Sequence, residues 1–200
     1  FDSTAKLRAA ALPDFRRWYV PAKAALDGLL AMTLLVLTAP LILLSILLVK
    51  VTSRGPTIYA QTRVGLRGRP FTIYKLRTMT HDCESLTGAR WSTPGDSRIT
   101  PVGRWLRKTH LDELPQLWNV IRGDMSLVGP RPELVEVVEH YAPWQRQRHL
   151  VRPGITVLWQ VSKRGEGLMH LYTDVDLEYV ATMTFRRDLG ILVRTIPAAV

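Results

Sequence analysis

The 200-residue chain holds a single cysteine, Cys83. No intrachain disulfide can form and no sulfur-rich zinc cage can be built, so a reducing, cytosolic setting is expected. The five histidines lack the paired spacing of metal-ligating helices. Walker-type phosphate loops, dinucleotide fingerprints and Ser or Cys nucleophile motifs are also missing, which sets aside the common chemistries that depend on them. Acids are scarce as well: 17 Asp and Glu stand against 27 Lys and Arg, a formal net charge of +10. The basic residues are spread from Arg8 to Arg194 and broken up by aromatics, the pattern of a folded basic surface. Such a surface favours phosphorylated small molecules, acidic lipid headgroups or nucleic acid. The length suffices for one core with a membrane element and leaves little room for a second complete domain. The chain begins at Phe1 and not at Met, which points to trimming or to a longer parent.

One stretch breaks the globular pattern. Gly28 to Val49, "GLLAMTLLVLTAPLILLSILLV", carries no charge, and as a straight helix it would measure about 33 Å against a bilayer core of roughly 30 Å. It begins too far into the chain, and is too long, for a cleavable signal peptide. Pro40 lies near its middle, offers no N–H to the carbonyl of Val36, and predicts a kink. Two readings follow: a spanning helix with a tolerated bend, or a re-entrant hairpin whose arms each reach part way across. Basic residues flank both ends, with Arg16, Arg17 and Lys23 before and Lys50, Arg54, Arg63, Arg67 and Arg69 after. Positive charge marks cytoplasmic loops, so the re-entrant form is preferred. Asp27, at the edge of the run, is expected at headgroup level or paired with a nearby cation.

The remainder reads as α+β and mainly helical. "TIYAQTRVGLRGRPFTIYKLRTM" predicts two short strands around "GLRGRP". Residues 81–100 are polar and form a surface loop. "PVGRWLRKTH" and "DELPQLWNVIRG" predict consecutive short helices, the second stopped by Gly123. "PELVEVVEHYAPWQRQRHL" predicts a helix broken near Pro143, "RPGITVLWQV" a turn with an extended piece, and "DVDLEYVATMTFRRDLGILVRTI" one long amphipathic helix. Trp105, Trp118, Trp144 and Trp159 suit a core or a membrane interface.

The stretch His110 to Pro132 sets two acids, Asp112 and Glu113, beside many cations. "THLD" has the spacing of a helix-capping motif, and acids in a first helical turn are stabilised by its unpaired N–H groups. That reading needs no function. The company of the pair argues for more: Arg104, Arg107, Lys108 and His110 precede it, and Arg131 follows between two prolines. A site for a diphosphate needs this mixture, with cations for the oxygens, a carboxylate for Mg²⁺ and a second carboxylate available as nucleophile.

Four blocks, "FTIYKLRTM", "LDELPQLWNVIRGDMSLVGPRP", "RPGITVLWQVS" and "DLEYVATMTFRRDLGIL", follow in fixed order after an apolar segment with a central proline. In this the chain resembles the bacterial sugar transferases, the monotopic polyprenyl-phosphate phosphoglycosyl transferases, from about Lys23 to Ile196. The resemblance implies a small catalytic domain with a proline-broken re-entrant membrane helix and interfacial amphipathic helices. Residues 1–22 would be a basic lead-in, 23–50 the re-entrant helix and 51–200 the catalytic domain on the cytoplasmic face of the bacterial inner membrane. It implies transfer of a sugar-1-phosphate from a UDP-sugar to polyprenyl phosphate, with undecaprenyl phosphate as the expected carrier, releasing UMP as the first membrane step of surface glycan synthesis. Asp112 would be the nucleophile, Asp112 and Glu113 the Mg²⁺ ligands, and membrane lipid a further partner, with no nucleic acid. Lys75, Arg77, Arg131 and Arg152 match family blocks and become substrate-binding candidates, and Arg107 and Arg104 carry the same expectation. Asp176 and Asp188 are expected to orient arginines, and Pro40 to shape the membrane helix. The competing class is a non-catalytic basic anchor for acidic lipid or nucleic acid.

Two positions depart from the family pattern. Ala39 stands where Ser often precedes the membrane proline, so no hydroxyl is offered to a freed backbone group. Val157 follows Thr156 where the family has Gly, which either alters substrate fit or marks a position facing the core.

Overall fold

A computed structural model of the chain describes residues 16–81, 83, 95–158 and 173–198. The predicted apolar helix is α1, Arg16–Thr52, which starts inside the expected basic lead-in and contains both Pro21 and Pro40. It is long and apolar enough to cross a membrane by length and composition. Pro40 leaves the carbonyl of Val36 without its helical donor, while the Thr38 and Ser45 hydroxyls donate to Leu34 and Leu41 carbonyls one turn back.

A stripe spaced by three and four residues faces the protein: Tyr19, Lys23, Asp27, Ala31, Leu35, Thr38, Ile42, Ser45 and Val49 are buried or half-buried. Leu29, Val36, Leu37 and Leu43 on the opposite side are exposed. Asp27 does find its cation: Lys23 lies 3.2 Å away and also pairs with Asp188. Tyr19 and Tyr179 donate to the two oxygens of Asp188, each at 2.8 Å, and the Ser126 hydroxyl donates to Asp27. A buried polar cluster therefore ties the first half of α1 to the body of the protein, each charge answered by a partner as burial requires.

The two predicted strands form an antiparallel pair, β1 (Ile58–Val64) and β2 (Pro70–Leu76), with Ile58 opposite Leu76 and Val64 opposite Pro70. Arg67 and Gly68 take the left-handed conformation in the connecting turn. The free edge of β2 is not left open. Asn119, from α3 (Gln116–Ile121), accepts from the Tyr74 N–H at 3.2 Å and donates to the Thr72 carbonyl at 2.7 Å. Between these elements lies α2 (Pro101–Lys108), capped by Thr100, whose hydroxyl accepts from Gly103 N–H.

The extended piece predicted in "RPGITVLWQV" belongs to a second sheet, whose other strand was not foreseen. β3 (Ser126–Val128) runs parallel to β4 (Gly154–Thr156), with Ser126 opposite Gly154 and Val128 opposite Thr156. A short helix α4 (Val135–Glu139) and a 3₁₀ stretch Gln145–Leu150 cover the interval between them, which agrees with a helix broken near Pro143. The predicted long C-terminal helix is two: α5 (Thr173–Thr182) and α6 (Phe185–Ala198). Thr184 interrupts it, because its hydroxyl accepts from the Arg187 N–H and opens a new helix with Asp188 in the first turn. Leu117, Val120, Met125, Val128, Tyr179 and Ile191 meet with Tyr19 and Ala31 in the main core. A smaller cluster joins Val49, Leu76 and Leu106. Most of the predicted 81–100 loop and Trp159 lie outside the described residues.

Candidate active site

The acidic pair sits at a corner and not in a helix. Leu111–Glu113 is a 3₁₀ turn entered through His110 in the left-handed conformation, φ 54°. The expected "THLD" cap is not made. Thr109 turns back to close α2, its hydroxyl donating to Trp105 and Leu106 carbonyls, and no side chain caps the acidic turn. A non-glycine residue at positive φ costs roughly 1 kcal/mol, strain of a kind that collects at functional sites. Its effect here is to turn Asp112 inward, to 8% exposure.

The two carboxylates have different surroundings. Lys75 Nζ lies 2.7 Å from Glu113 Oε1, and Arg131 Nη1 lies 3.8 Å from the same oxygen. Burial alone would raise the Glu113 pKa; the Lys75 and Arg131 charges outweigh it and hold it down at about 2. Lys75 is itself pushed down by burial, with Glu113 pulling the other way. Asp112 forms no ion pair among the described residues, and burial followed by the Glu113 charge raises its pKa to about 6. Lys75 and Arg107 oppose that rise without cancelling it. One acid is thus neutralised by fixed cations, and its neighbour carries charge that the cations around it do not fully balance.

The other predicted residues divide. Arg107 donates from Nε to Thr78 Oγ1 at 2.7 Å and acts on Asp112 through its charge, while Arg104 is exposed on α2. Arg77 is not at the acidic pair. It is buried and donates to the carbonyl and hydroxyl of Ser53, pinning the exit of α1 to the end of β2. Arg152 lies by the Gly123 turn, where a Cβ on the glycine would sit 3.8 Å from its Nη2, and its Nε is buried without a partner among the described residues. Asp176 pairs with an arginine, Arg148. Asp188 pairs with no arginine among the described residues: it holds Lys23 and Tyr19 of α1 and Tyr179 of α5. Val157 is 1% exposed and belongs to the core.

Three residues were not among the predicted site residues, Arg63 having been read only as a flanking cation. Arg148 and Arg63 both donate to the loop that carries Arg131, and Asn119 organises the strand that carries Lys75. Arg148 offered no local signal, since its partners Arg131 and Asp176 lie 17 and 28 positions away in the chain.

This geometry can be set beside known proteins. The bacterial sugar transferase family profile matches residues 18–200. The chain belongs to the bacterial sugar transferase family. It is 45% identical over 184 residues to a UDP-glucose:undecaprenyl-phosphate glucose-1-phosphate transferase of Caulobacter vibrioides, covering 88% of this chain and 68% of the relative. It is 42% identical over 166 residues to the uncharacterized sugar transferase EpsL of Bacillus subtilis, covering 83% and 81%. It is 39% identical over 194 residues to an undecaprenyl-phosphate glucose phosphotransferase of Komagataeibacter xylinus, covering 90% of this chain and 36% of that longer protein. Sugar transferases of this family thus occur both near this length and as the smaller part of a much longer chain.

Proposed function

We propose that the protein is a UDP-sugar:polyprenyl-phosphate sugar-1-phosphate transferase, with undecaprenyl phosphate as acceptor. The observation that carries the reading is the asymmetric acidic pair: a buried Asp112 with no ion pair among the described residues and a pKa raised to about 6, beside a Glu113 kept charged by Lys75 and Arg131. A basic anchor needs no such pair.

In the first step an Asp112 carboxylate oxygen attacks the sugar-bearing phosphorus of the UDP-sugar. The bond to the bridging oxygen breaks and UMP leaves with that oxygen. An oxygen of polyprenyl phosphate then attacks the same phosphorus, the aspartyl–phosphorus bond breaks, and polyprenyl-diphospho-sugar departs with Asp112 restored. A carboxylate with a pKa near 6 needs no general base at neutral pH, yet it stays a better nucleophile than an ordinary exposed Asp. Lys75, Arg107 and Arg131 surround the pair and supply charge for phosphoryl oxygens.

Mg²⁺ fits this donor set. No group of three or more metal-ligating side chains occurs among the described residues, and Mg²⁺ is commonly held by one or two carboxylates with substrate phosphates. Asp112 and Glu113 would hold it, and when bound it would shield the diphosphate charge from the incoming anion.

The membrane reading is re-entrant. Tyr19 and Val49, at the two ends of the apolar run, both pack against the body of the protein. The helix is continuous through Pro40, so the expected break is not seen in it; the re-entrant proposal rests on the cations at both ends of α1, which favour the cytoplasmic side, and on the hydrogen bond that Pro40 cannot make. The exposed stripe Phe185, Leu189 and Val193 on α6, with Trp105 and Trp118, supports a face resting in the interface.

The test is UMP release from a panel of UDP-sugars with Mg²⁺ and undecaprenyl phosphate. Asp112→Asn should abolish turnover and keep membrane binding; a variant as active as the parent refutes the nucleophile.

A further inference from the structure

The segment carrying Arg131 belongs to no regular element, yet four successive carbonyls in it are held. Gly154 N–H donates to Pro130 O at 2.8 Å and Val64 N–H to Glu133 O at 2.9 Å. Arg148 Nη2 donates to Arg131 O at 2.8 Å and Arg63 Nη1 to Pro132 O at 3.3 Å. The loop is also pressed against β4 so closely that a Cβ on Gly154 would overlap the backbone nitrogen of Gly129. Pro130 and Pro132 fix their own φ angles, and the residue before a proline is restricted too. What freedom remains is rotation of the peptide planes, and the four bonds remove it.

Two of the four donors are guanidinium groups. Arg148 is 3% exposed and touches neither Asp112 nor Glu113. Its charge is met by Asp176 and by Glu133 at 3.6 Å, and it donates to the Tyr141 hydroxyl. A buried ion network of this kind is seldom the most stabilising way to fill a core, since apolar side chains of similar volume do as well or better. Its Nη2 reaches the main chain from which the Arg131 side chain leaves.

Resting on the proposed transfer reaction, we infer that Arg148 is a positioning residue: held by Asp176, it fixes the Arg131 carbonyl and so sets the Arg131 guanidinium against Glu113 and the substrate diphosphate. Arg63 secures the next carbonyl from β1. The order of the relay is Asp176, Arg148, the Arg131 main chain, the Arg131 guanidinium. A charge with no access to substrate then governs where a substrate-facing charge sits.

The experiment is a double-mutant cycle on the full chain in lipid nanodiscs, read as kcat/KM for UMP release and as Kd for the UDP-sugar by calorimetry. Arg148→Lys keeps a cation beside Asp176 and Glu133 and loses the forked geometry; Arg131→Ala removes the guanidinium itself. Arg63→Gln repeats the test at a half-buried site where no buried charge is left unpaired, with melting curves taken throughout. R148K should lower kcat/KM by about 10- to 100-fold, the penalty of a misplaced group. In the R131A background it should change kcat/KM or Kd by less than about twofold, because the two act as one unit. R63Q should show the same pattern with smaller amplitude. Full multiplication of the R148K factor onto R131A, or parental activity of R148K, overturns the relay. Where R131A turns over too slowly, the Kd cycle decides. A parent that binds UDP-sugar with a non-additive cycle and releases no UMP would overturn the proposed reaction and leave the relay standing.

Discussion

Replacing Asp112 with Asn should inactivate the protein and make it more stable. The carboxyl is 8% exposed, and its pKa rises from 3.8 to about 6 because burial and Glu113 both disfavour the charge. A folded-state pKa above the unfolded one means the unfolded chain releases its proton first. The ionised side chain therefore opposes folding, and the opposition grows from zero below about pH 4 to its full value above about pH 6. A rise of this size corresponds to about 3 kcal/mol at neutral pH. For a chain of this length that is a rise in melting temperature on the order of 5–10 °C. Asn removes the charge at nearly constant volume. The assay is thermal unfolding of parent and Asp112→Asn in nanodiscs with EDTA, at pH 7.5 and at pH 4. The variant should melt higher at pH 7.5, and the two should converge at pH 4. Equal melting at pH 7.5, or a gain that persists unchanged in acid, would refute a buried, uncompensated Asp112.

Other expectations follow from the same packing. The acid limb of kcat/KM should fall tenfold per pH unit below an apparent pKa near 6, since only ionised Asp112 attacks; a limb near pH 4 would contradict the burial that raises it. Gly103→Ala should cost more than about 3 kcal/mol and most of the activity, because its Cβ would overlap the Thr78 carbonyl, the backbone on which α2 and Arg107 are seated. A normal melt for that variant would show that α2 docks elsewhere. Cysteines placed at Trp18 and Arg54 should both react with a membrane-impermeant maleimide from the cytoplasmic side only; protection of one end there, with labelling from the periplasm, would establish a spanning helix.

Much of the site is carried by short segments that could be read directly. The β1–β2 pair follows from alternation and a Gly-rich turn, and the breaks at Gly123 and Pro143 from turn chemistry. The inward Asp112 is another matter: local spacing suggested a capped helix, and the chain spent Thr109 on closing α2 and placed His110 at positive φ. The split between α5 and α6 did have a local sign, Thr184 with Asp188 in the following turn, masked by the continuous apolar period around it. β4 lies in the extended piece read after Pro153, whereas β3, three residues long, is too short to show a period of two.

By itself the sequence determined the apolar run with cations at both ends, the basic surface and the adjacency of two acids, because charge, hydropathy and neighbour relations are properties of the chain before it folds. Only the tertiary structure decided which acid is neutralised. Lys75 reaches Glu113 across 38 positions, Arg148 reaches Asp176 across 28, and Asp188 turns to Lys23 of α1. The strength of a charge pair depends on burial and on which partners long-range packing brings within a few ångströms, and neither quantity is written in the order of the residues.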